Sequence, residues 1–371
     1  MENVDHLVIG GGVMGSAAAW QLARRGRSVV LLERFHPGHA QGASHGASRI
    51  YRQTYDRAEY LDLTVEALGL WRELEDATGA QLLTLTGGVS HGELAPSVLA
   101  AFRARGIPHE VLSPAEAGER WSGLRFEGSV LHETHTAGRL HADRSVAALQ
   151  SAAVALGADV RHGVRVLDLS VGPSGVLVET SDGPVRARRV VLAVGGWTST
   201  LLGRPAPLVV TQEQPAHFDL AYPAEWPSFT HRPLGAHPYP SGTYGLLTPG
   251  EGVKVGFHAV GPVTDPDHRS FAPEPGQLAL LQRYAVQWLP GVDPSNPHPI
   301  SCTYTTTPDS DFILDRHGPL VVAAGFSGHG FKFGPAIGRV LADLADEPVD
   351  DPVRASDPAF RLSRLVPQES R

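Results

Sequence analysis

The chain contains very little cysteine, lysine or methionine: one Cys, two Lys and two Met occur among its 371 residues. A single cysteine cannot form a disulfide within the chain, so we expect a reducing compartment, the cytoplasm. Long apolar runs are also missing, and none has the length and hydropathy needed to span a bilayer. The apolar stretch 7–23 is interrupted by four glycines and precedes its basic pair. We therefore interpret it as a strand and a helix instead of a targeting segment.

Charge and metal-binding patterns exclude further classes of protein. The formal net charge is −8, which argues against nucleic acid and anionic membranes as partners. The 18 histidines are scattered, and because neither an HExxH nor a CxxC pattern occurs, we expect no metal site. The length, with 42% hydrophobic side chains, is enough for two lobes with substantial cores.

The two lysines, Lys254 and Lys332, lie in the apolar, glycine-rich segments GVKVGFH and GFSGHGFKF. Arginine supplies the other 29 of the 31 basic side chains. We therefore expect arginine to provide almost all of the positive charge at ordinary surface positions. A lysine differs in that burial readily lowers its pKa. We interpret both lysines as functional. The alternatives are a solvent-facing side chain at Lys254 and a surface lysine at the start of a helix at Lys332.

The N-terminus has the order of a dinucleotide-binding unit. A predicted strand 5–9 leads into a glycine turn, a helix 14–25 follows, and a second strand 28–32 ends at Glu33. Gly10, Gly12 and Gly15 have the spacing of a dinucleotide-binding fingerprint. In that fingerprint the first glycine allows a tight turn, the second allows the backbone to approach the pyrophosphate, and the third allows the helix to pack on the strand. A carboxylate at Glu33 can accept both ribose hydroxyls. An ordinary glycine turn is the alternative, and the fingerprint does not separate NAD from FAD.

Later segments predict the remaining architecture. Glycines stop two predicted helices, 57–78 and 145–156, and short strands alternate as a meander over 158–191. Proline and glycine are dense over 205–275, which indicates an irregular, strand-rich lobe. A buried strand 320–324 and a helix 334–345 come last. We expect this late pair to share one sheet with the N-terminal unit.

The segment after the second strand has two possible interpretations. Gly42-Ala43-Ser44-His45-Gly46 matches the letters of a hydrolase nucleophile elbow, but that elbow needs a preceding strand and a following helix, and here a loop is predicted. The segment continues to Arg49 and Arg52, which alternation places on different sides of an extended chain. Two surface arginines are the alternative.

The longer motifs, taken together, resemble the monomeric sarcosine oxidase family. That family includes N-methyltryptophan and pipecolate oxidases and belongs to the wider D-amino-acid-oxidase-like flavoproteins. The resemblance extends from Gly10 to beyond Phe333. It rests on six segments: GGGVMG, SHGASRIYR, GGW, KVGFH, CTYTTTPDSDFILD and GFSGHGFKF. The chain departs from the family at 211–213, where members often carry an Arg-Gln pair, and in the lobe 217–237, which has no close match.

The resemblance implies an α/β (α+β) fold with a Rossmann-like FAD-binding domain and a discontinuous second domain on a mostly antiparallel sheet. Residues 1–84, 144–212 and 308–371 would form the FAD-binding domain. Residues 85–143 and 213–307 would form the substrate domain.

The resemblance also implies a set of site residues. Cys302 would attach FAD covalently, Lys254 would help to activate oxygen, and Arg52 with Lys332 would bind the substrate carboxylate. Tyr244, His258 and Tyr304 would line the substrate cavity, and the first two would be catalytic with Lys254, His45 and Arg49. The cofactor would be bound by Gly10, Gly12, Met14, Gly15, Glu33, Arg34, Ser44, His45, Arg49, Val166, Gly195, Trp197, Cys302, Gly328, Gly330, Phe331 and Lys332.

The implied function is oxidation of a secondary amino acid by oxygen in a monomeric enzyme, with sarcosine as the leading substrate. The products would be the imine, then glycine and formaldehyde, and hydrogen peroxide. The alternatives are a bulkier secondary amino acid such as N-methyltryptophan or pipecolate, and a fructosyl amino acid. A dehydrogenase with another acceptor, a flavin-binding protein without turnover and an NAD enzyme are alternatives of other classes.

Overall fold

A computed structural model describes residues 1–172, 175–202, 207–346 and 357–365. The strands of these ranges are β1 (Glu2–Ile9), β2 (Val29–Glu33), β3 (Arg49–Tyr51), β4 (Leu83–Thr84), β5 (Gly88–Gly92), β6 (His109–Leu112), β7 (Val130–Glu133), β8 (Gly138–Leu140), β9 (Asp159–His162), β10 (Val166–Gly172), β11 (Gly175–Thr180), β12 (Val185–Leu192), β13 (Val209–Glu213), β14 (Ala216–Phe218), β15 (Ser228–Arg232), β16 (Thr243–Thr248), β17 (Gly252–Phe257), β18 (His298–Pro299), β19 (Cys302–Thr306), β20 (Ile313–His317) and β21 (Leu320–Ala324).

The helices of the same ranges are α1 (Val13–Arg24), α2 (Ala58–Thr78), α3 (Pro96–Arg105), α4 (Pro114–Arg120), α5 (Ala142–Ala155), α6 (Thr198–Leu201), α7 (Pro275–Trp288) and α8 (Gly334–Asp346). Four 3-10 helices lie at Gly195–Trp197, Phe331–Phe333, Pro358–Phe360 and Leu362–Leu365. Across the described residues, no helix is both long enough and apolar enough to cross a membrane.

The first large sheet is built on parallel strands in the order β9-β2-β1-β12-β21. The late strand β21 therefore shares a sheet with β1, as the sequence predicted. The predicted meander over 158–191 is wrong in part, because β9 and β12 run parallel to their neighbours β2 and β1. Only β10, β11 and the first half of β12 form an antiparallel meander.

Helix α1 explains why the N-terminal unit folds as predicted. Its alanine-rich sequence packs on both α5 and α8, and Ala17 lies so close to Gly338 that a β-carbon on this glycine would clash with it. Helix α2 ends at Gly79, which has a left-handed φ of 70°. Helix α5 begins three residues earlier than predicted because the His141 ring accepts a hydrogen bond from the Arg144 amide, 3.4 Å away.

The second large sheet has the order β18-β14-β17-β16-β15-β5-β7-β6 and is antiparallel except where β15 pairs with β5. Alternation gives it two different faces. One face carries Val253, Val255 and Phe229, which pack with Tyr284 of α7 in an apolar core. The alternate positions on β17 and β16 include Lys254 and Tyr244. The α/β fold with a mostly antiparallel second sheet is thus confirmed.

Two small sheets accompany the two large ones. Strands β3, β8 and β4 form one, and β13 pairs with β19 in the other. The domain division at residues 84, 143, 212 and 307 stays a proposal. Part of its last segment, 347–356 and 366–371, lies outside the described residues.

Candidate active site

One cavity of about 1410 Å³ collects residues from both large sheets and from the loops between them. Of the residues predicted from sequence, all but Gly15 line it. A β-carbon on Gly15 would overlap the carbonyl oxygen of Gly10, so this glycine allows the helix to pack on the strand and does not face the cavity.

The part of the cavity nearest α1, called the nucleotide region below, consists of residues 10–14, Glu33, Arg34, Ser44 and Trp197. Gly10 has a φ of 105°, and a β-carbon there would overlap the carbonyl of Ala193. The first turn of α1 then presents its backbone amides at the cavity wall, where a helix N-terminus favours anions. One of these amides, that of Val13, donates to Ser44 Oγ over 3.0 Å.

Glu33 lies at the end of β2, as predicted, and is 6% exposed. Its Oε2 accepts the Gly11 amide at 2.7 Å and its Oε1 accepts the Phe35 amide at 2.9 Å. A carboxylate has about four acceptor positions, so two remain for hydroxyl groups in the cavity.

Arg34 and Trp197 are joined by a residue that the sequence did not suggest, Asp267. Its Oδ1 accepts from Trp197 Nε1 at 2.9 Å and from Arg34 Nη1 at 2.8 Å. The Arg34 guanidinium lies 5.3 Å from the Trp197 ring centroid. The carboxylate thus fixes one side chain that directly follows β2 and another from the 3-10 helix Gly195–Trp197.

The part of the cavity called the cation region below contains Arg49, Arg52, Lys254 and Lys332. Lys254 lies on β17 and is 6% exposed, and its Nζ donates to the Ser48 carbonyl at 3.3 Å. Burial lowers the pKa of Lys254 to about 7, and the nearby Arg49 contributes in the same direction. The lysine therefore points inward, which resolves the two orientations left open by the sequence.

Cys302 is half-buried at the start of β19, and its Sγ lies 3.8 Å from Arg49 Nη2. Arg49 also donates to the carbonyls of Ser48 and Ala43, at 2.8 and 2.9 Å. Because β3 ends at Tyr51, Arg52 is no longer held by strand alternation and lines the same cavity as Arg49. The segment 42–46 has neither strand nor helix, so the hydrolase elbow is not formed.

Lys332 lies in the 3-10 helix Phe331–Phe333 and is 5% exposed. Its Nζ donates to the carbonyl of His329 at 2.6 Å and to the hydroxyl of Tyr55 at 3.0 Å. Burial lowers the pKa of Lys332 well below its usual range, and Arg52 lowers it further. Arg52 Nη1 donates to the Thr54 carbonyl at 2.5 Å. Within the described ranges, neither Arg52 nor Lys332 forms an ion pair with a carboxylate.

Three aromatic side chains stand beside these cations. The rings of His258 and Tyr304 are 5.5 Å apart. Tyr244 is half-buried and Tyr304 is buried, and loss of solvation raises the pKa values of both phenols. Burial lowers the pKa of His258 to about 4, with Arg52 as the next cause. The His258 side chain is itself exposed at the cavity, and the nearby Arg52 and Lys332 disfavour its protonated form.

Gly328 and Gly330 of the GFSGHGFKF segment line the cavity and also pack against aromatic side chains. Gly328 has a φ of 76°, and a β-carbon there would overlap the Tyr304 ring. A β-carbon on Gly330 would lie 2.7 Å from Phe326 Cβ. Their small size is explained by packing against these two aromatic rings.

Sequence reasoning missed three further residues: Tyr55, His329 and Glu133. Tyr55 bonds to Lys332 and, at 3.2 Å, to His329 Nδ1. The SHGASRIYR segment ends at Arg52, and Tyr55 follows only three residues later. This proximity in sequence could have identified Tyr55. Glu133 is a buried carboxylate on β7 and gave no such signal.

The residues fit an FAD group. The nucleotide region offers a glycine turn, a helix N-terminus and the free acceptor positions of Glu33. His45 lines the cavity, and its buried Nε2 has no hydrogen-bond partner among the described residues. Burial, followed by Arg49, lowers the pKa of His45 to about 4. No group of three or more His, Cys, Asp or Glu suited to a metal occurs in the described parts of the chain.

Comparison with known proteins gives a consistent set of relatives. Residues 5–344 match the family described as FAD dependent oxidoreductase. Monomeric sarcosine oxidase of Bacillus sp. (strain NS-129) is 32% identical over 92% of each chain. Peroxisomal sarcosine oxidase of Homo sapiens is 33% identical, again over 92% of each. The solved structure of NikD, an amino acid oxidase essential for nikkomycin biosynthesis, has 30% identity and a TM-score of 0.84, and the match covers 99% of this chain and 98% of NikD.

Proposed function

The chain belongs to the FAD dependent oxidoreductase family, and from this premise we propose that it oxidises a secondary amino acid with oxygen, releasing hydrogen peroxide. The membership confirms the resemblance drawn from the motifs, and FAD is the cofactor. The choice of substrate, the oxygen acceptor and the residue roles are proposals. So are the monomeric state and the cytoplasmic location, which rests on the single cysteine.

The observation that carries the proposal is the pair of cations Arg52 and Lys332. Both line the cavity, Lys332 is almost fully buried, and both bond only to neutral oxygens within the described residues. Burying a charge is unfavourable unless it is paired, so the pair is suited to a ligand that brings a carboxylate. An amino acid substrate does so.

Bound FAD supplies the two-electron chemistry at the C–N bond and the transfer of electrons to oxygen. The protein then needs no nucleophile. Arg52 and Lys332 orient the substrate through its carboxylate. Tyr244, Tyr304 and His258 enclose the amine, and the nearby cations favour the neutral form of His258, which does not repel a cationic amine. The imine product hydrolyses in water to glycine and formaldehyde when the substrate is sarcosine.

Lys254 is proposed to serve oxygen. Its ammonium is buried, bonds to one carbonyl and lies beside Arg49. Negative charge develops on oxygen as it takes up electrons, and a preorganised cation in a site of low dielectric stabilises that charge. This role explains why a lysine stands at an inward position of an apolar strand better than packing does.

Cys302 is proposed to attach FAD covalently. It is the one cysteine of the chain, it lines the cavity, and Arg49 lies beside its sulfur. The proposal gains support from its place in the CTYTTTPDSDFILD segment, which resembles the attachment segment of the sarcosine oxidase family.

Sarcosine is the leading substrate, because Tyr244, Tyr304 and His258 crowd the cavity beside the cations. We expect faster turnover of sarcosine than of N-methyltryptophan or pipecolate at equal concentration, measured as peroxide released. Peroxide formation with none of the secondary amino acids, although the protein contains FAD, would contradict the proposed function.

A larger secondary amino acid is the second candidate, and one observation favours it. Beyond Tyr244, the neighbouring strand positions Thr230 and Ser90 also line the cavity, and their hydroxyls are 2.8 Å apart. Strands are about 4.8 Å apart, so the polar wall extends roughly 10 Å past Tyr244. A substrate with a polar side chain would use this wall, and the same panel should therefore include N-methylserine.

A further inference from the structure

Glu133 is a buried carboxylate that neither the motifs nor the proposed reaction uses. It lies at the end of β7 and is 2% exposed. It accepts hydrogen bonds from the Gln53 amide at 2.7 Å, from the hydroxyl of Thr54, and from Thr136 Oγ1 at 3.5 Å. A buried carboxylate with several donors is a fixed part of the structure.

The first two donors directly follow Arg52 in the chain. Arg52 Nη1 in turn donates to the Thr54 carbonyl at 2.5 Å. Glu133 therefore holds the backbone of Gln53 and the side chain of Thr54, and the carbonyl of Thr54 holds the guanidinium. The position of the Arg52 side chain in the cavity depends on a residue 80 positions away from Gln53 in sequence.

Glu133 also provides negative charge close to the two cations. The carboxylate raises the pKa of Lys332, against the larger lowering by burial and by Arg52. Burial raises the pKa of Glu133 itself, and its hydrogen bonds and Arg52 oppose that effect. The other titratable groups that face Lys332 are Tyr55, His258 and His329. Unlike these three groups, Glu133 brings a negative charge to the neighbourhood of Lys332.

We propose that Glu133 is a positioning residue and counter-ion for the carboxylate site formed by Arg52 and Lys332. The proposal rests on the proposed function. One anion from the protein and one from the substrate then balance the buried Lys332 and the half-buried Arg52. Without Glu133 the cations repel each other in a site that water screens poorly, and Lys332 loses its proton more readily.

The test compares two unreactive ligands of the FAD-loaded protein, methylthioacetate and methylthioacetamide. Sulfur replaces the oxidisable amine in both, and only the first carries a carboxylate. Calorimetry from pH 6 to 9 on wild type and Glu133→Gln gives both affinities. We expect Glu133→Gln to bind methylthioacetate roughly tenfold or more weakly, and to lose that affinity at lower pH than wild type. Affinity for the amide should change little.

Two further variants separate charge from position. Thr54→Val removes one donor to Glu133 and keeps the carboxylate. It should therefore weaken methylthioacetate binding without changing the pH dependence of that binding. The same variant tests the inference if Glu133→Gln does not fold. Glu75→Gln is the matched control, because Glu75 accepts the amides of Leu82 and Leu83 outside the cavity.

The outcomes distinguish this inference from the proposed function. If wild type binds the acid and the amide equally well, the carboxylate site itself is wrong. If wild type prefers the acid and both Glu133→Gln and Thr54→Val keep that preference over the whole pH range, Glu133 serves the fold alone and the inference is overturned. An equal loss in Glu75→Gln would also overturn it.

Discussion

The nucleotide region and the cation region line one cavity but treat their polar groups in opposite ways. In the nucleotide region the protein satisfies its own groups: Glu33 accepts two backbone amides and Ser44 accepts a third. In the cation region Lys254 and Lys332 are buried and bond only to neutral oxygens. Burial lowers the pKa values of both lysines.

The difference indicates what each region does for a ligand. A satisfied region is stable alone and offers a preformed surface of backbone and spare acceptors. A region of buried cations is unfavourable alone and gains most when an anion arrives. Strain of this kind at a site reduces the stability of the protein while it serves the function.

The largest expected effect concerns Cys302. Replacing it separates the covalent retention of FAD from the noncovalent binding of FAD by the nucleotide region. Acid-precipitated wild-type protein should stay yellow, whereas the pellet of Cys302→Ser should be colourless because its FAD is released. Native Cys302→Ser should remain yellow if the nucleotide region binds FAD by itself. Release of all flavin from denatured wild type would show that no covalent bond exists.

Replacing Lys254 by Met should affect the oxygen reaction. Loss of one preorganised charge typically costs ~3–4 kcal/mol, roughly a hundred- to a thousand-fold in rate. After anaerobic reduction by substrate, the variant should reoxidise slowly in stopped flow, while flavin reduction changes much less. Because the pKa of Lys254 is about 7, wild-type reoxidation should slow as the pH rises above 7, and the variant should lack this slope. A wild-type rate of reoxidation in Lys254→Met would make the lysine a packing residue.

The smallest effects are on stability, and they should have opposite signs in the two regions. Ser44→Ala removes the acceptor of the Val13 amide and should lower the free energy of unfolding by about 1 kcal/mol. Lys254→Met should raise it by about 0.5–2 kcal/mol, since Ser48 O keeps its bond from Arg49. Denaturant unfolding of both variants measures the two changes.

The pH dependence of the second change follows from the lowered pKa. The charged form of Lys254 is disfavoured in the folded state, so the lysine destabilises the protein fully below pH about 7. That penalty disappears as pH approaches the unfolded value of about 10.4. The gain from Lys254→Met should therefore be constant at low pH and shrink from pH 7 to 10. A gain independent of pH would point to better packing alone.

The features that could be predicted from sequence are local ones. The turn at Gly10, the packing of Gly15 and the position of Glu33 all lie within one βαβ unit, where spacing determines geometry. The two lysines were found by their rarity, which needs no geometry. The apolar pattern of the sequence predicts strand β21 and helix α8. That β21 joins the first sheet was predicted from the expectation that the chain returns to the first domain.

The rest depends on contacts between distant parts of the chain. Lys332 meets Tyr55 across 277 residues, and Trp197 meets Asp267 across 70. Glu133 has no motif around it, and only the folded structure brings it to Gln53 and Thr54. The packing of Gly328 against Tyr304 was not evident from sequence for the same reason, since Tyr304 lies on another segment.

The role of the cation region is tested most simply by anaerobic mixing of sarcosine with wild type and Lys332→Met, each carrying FAD, followed by flavin absorbance. Charge-assisted hydrogen bonds to a carboxylate are worth ~1.5–3 kcal/mol. The variant should therefore need roughly ten- to a hundred-fold more sarcosine for half-saturation of flavin reduction. Equal half-saturation in the two proteins would contradict the claim that the cation region binds the carboxylate of the substrate.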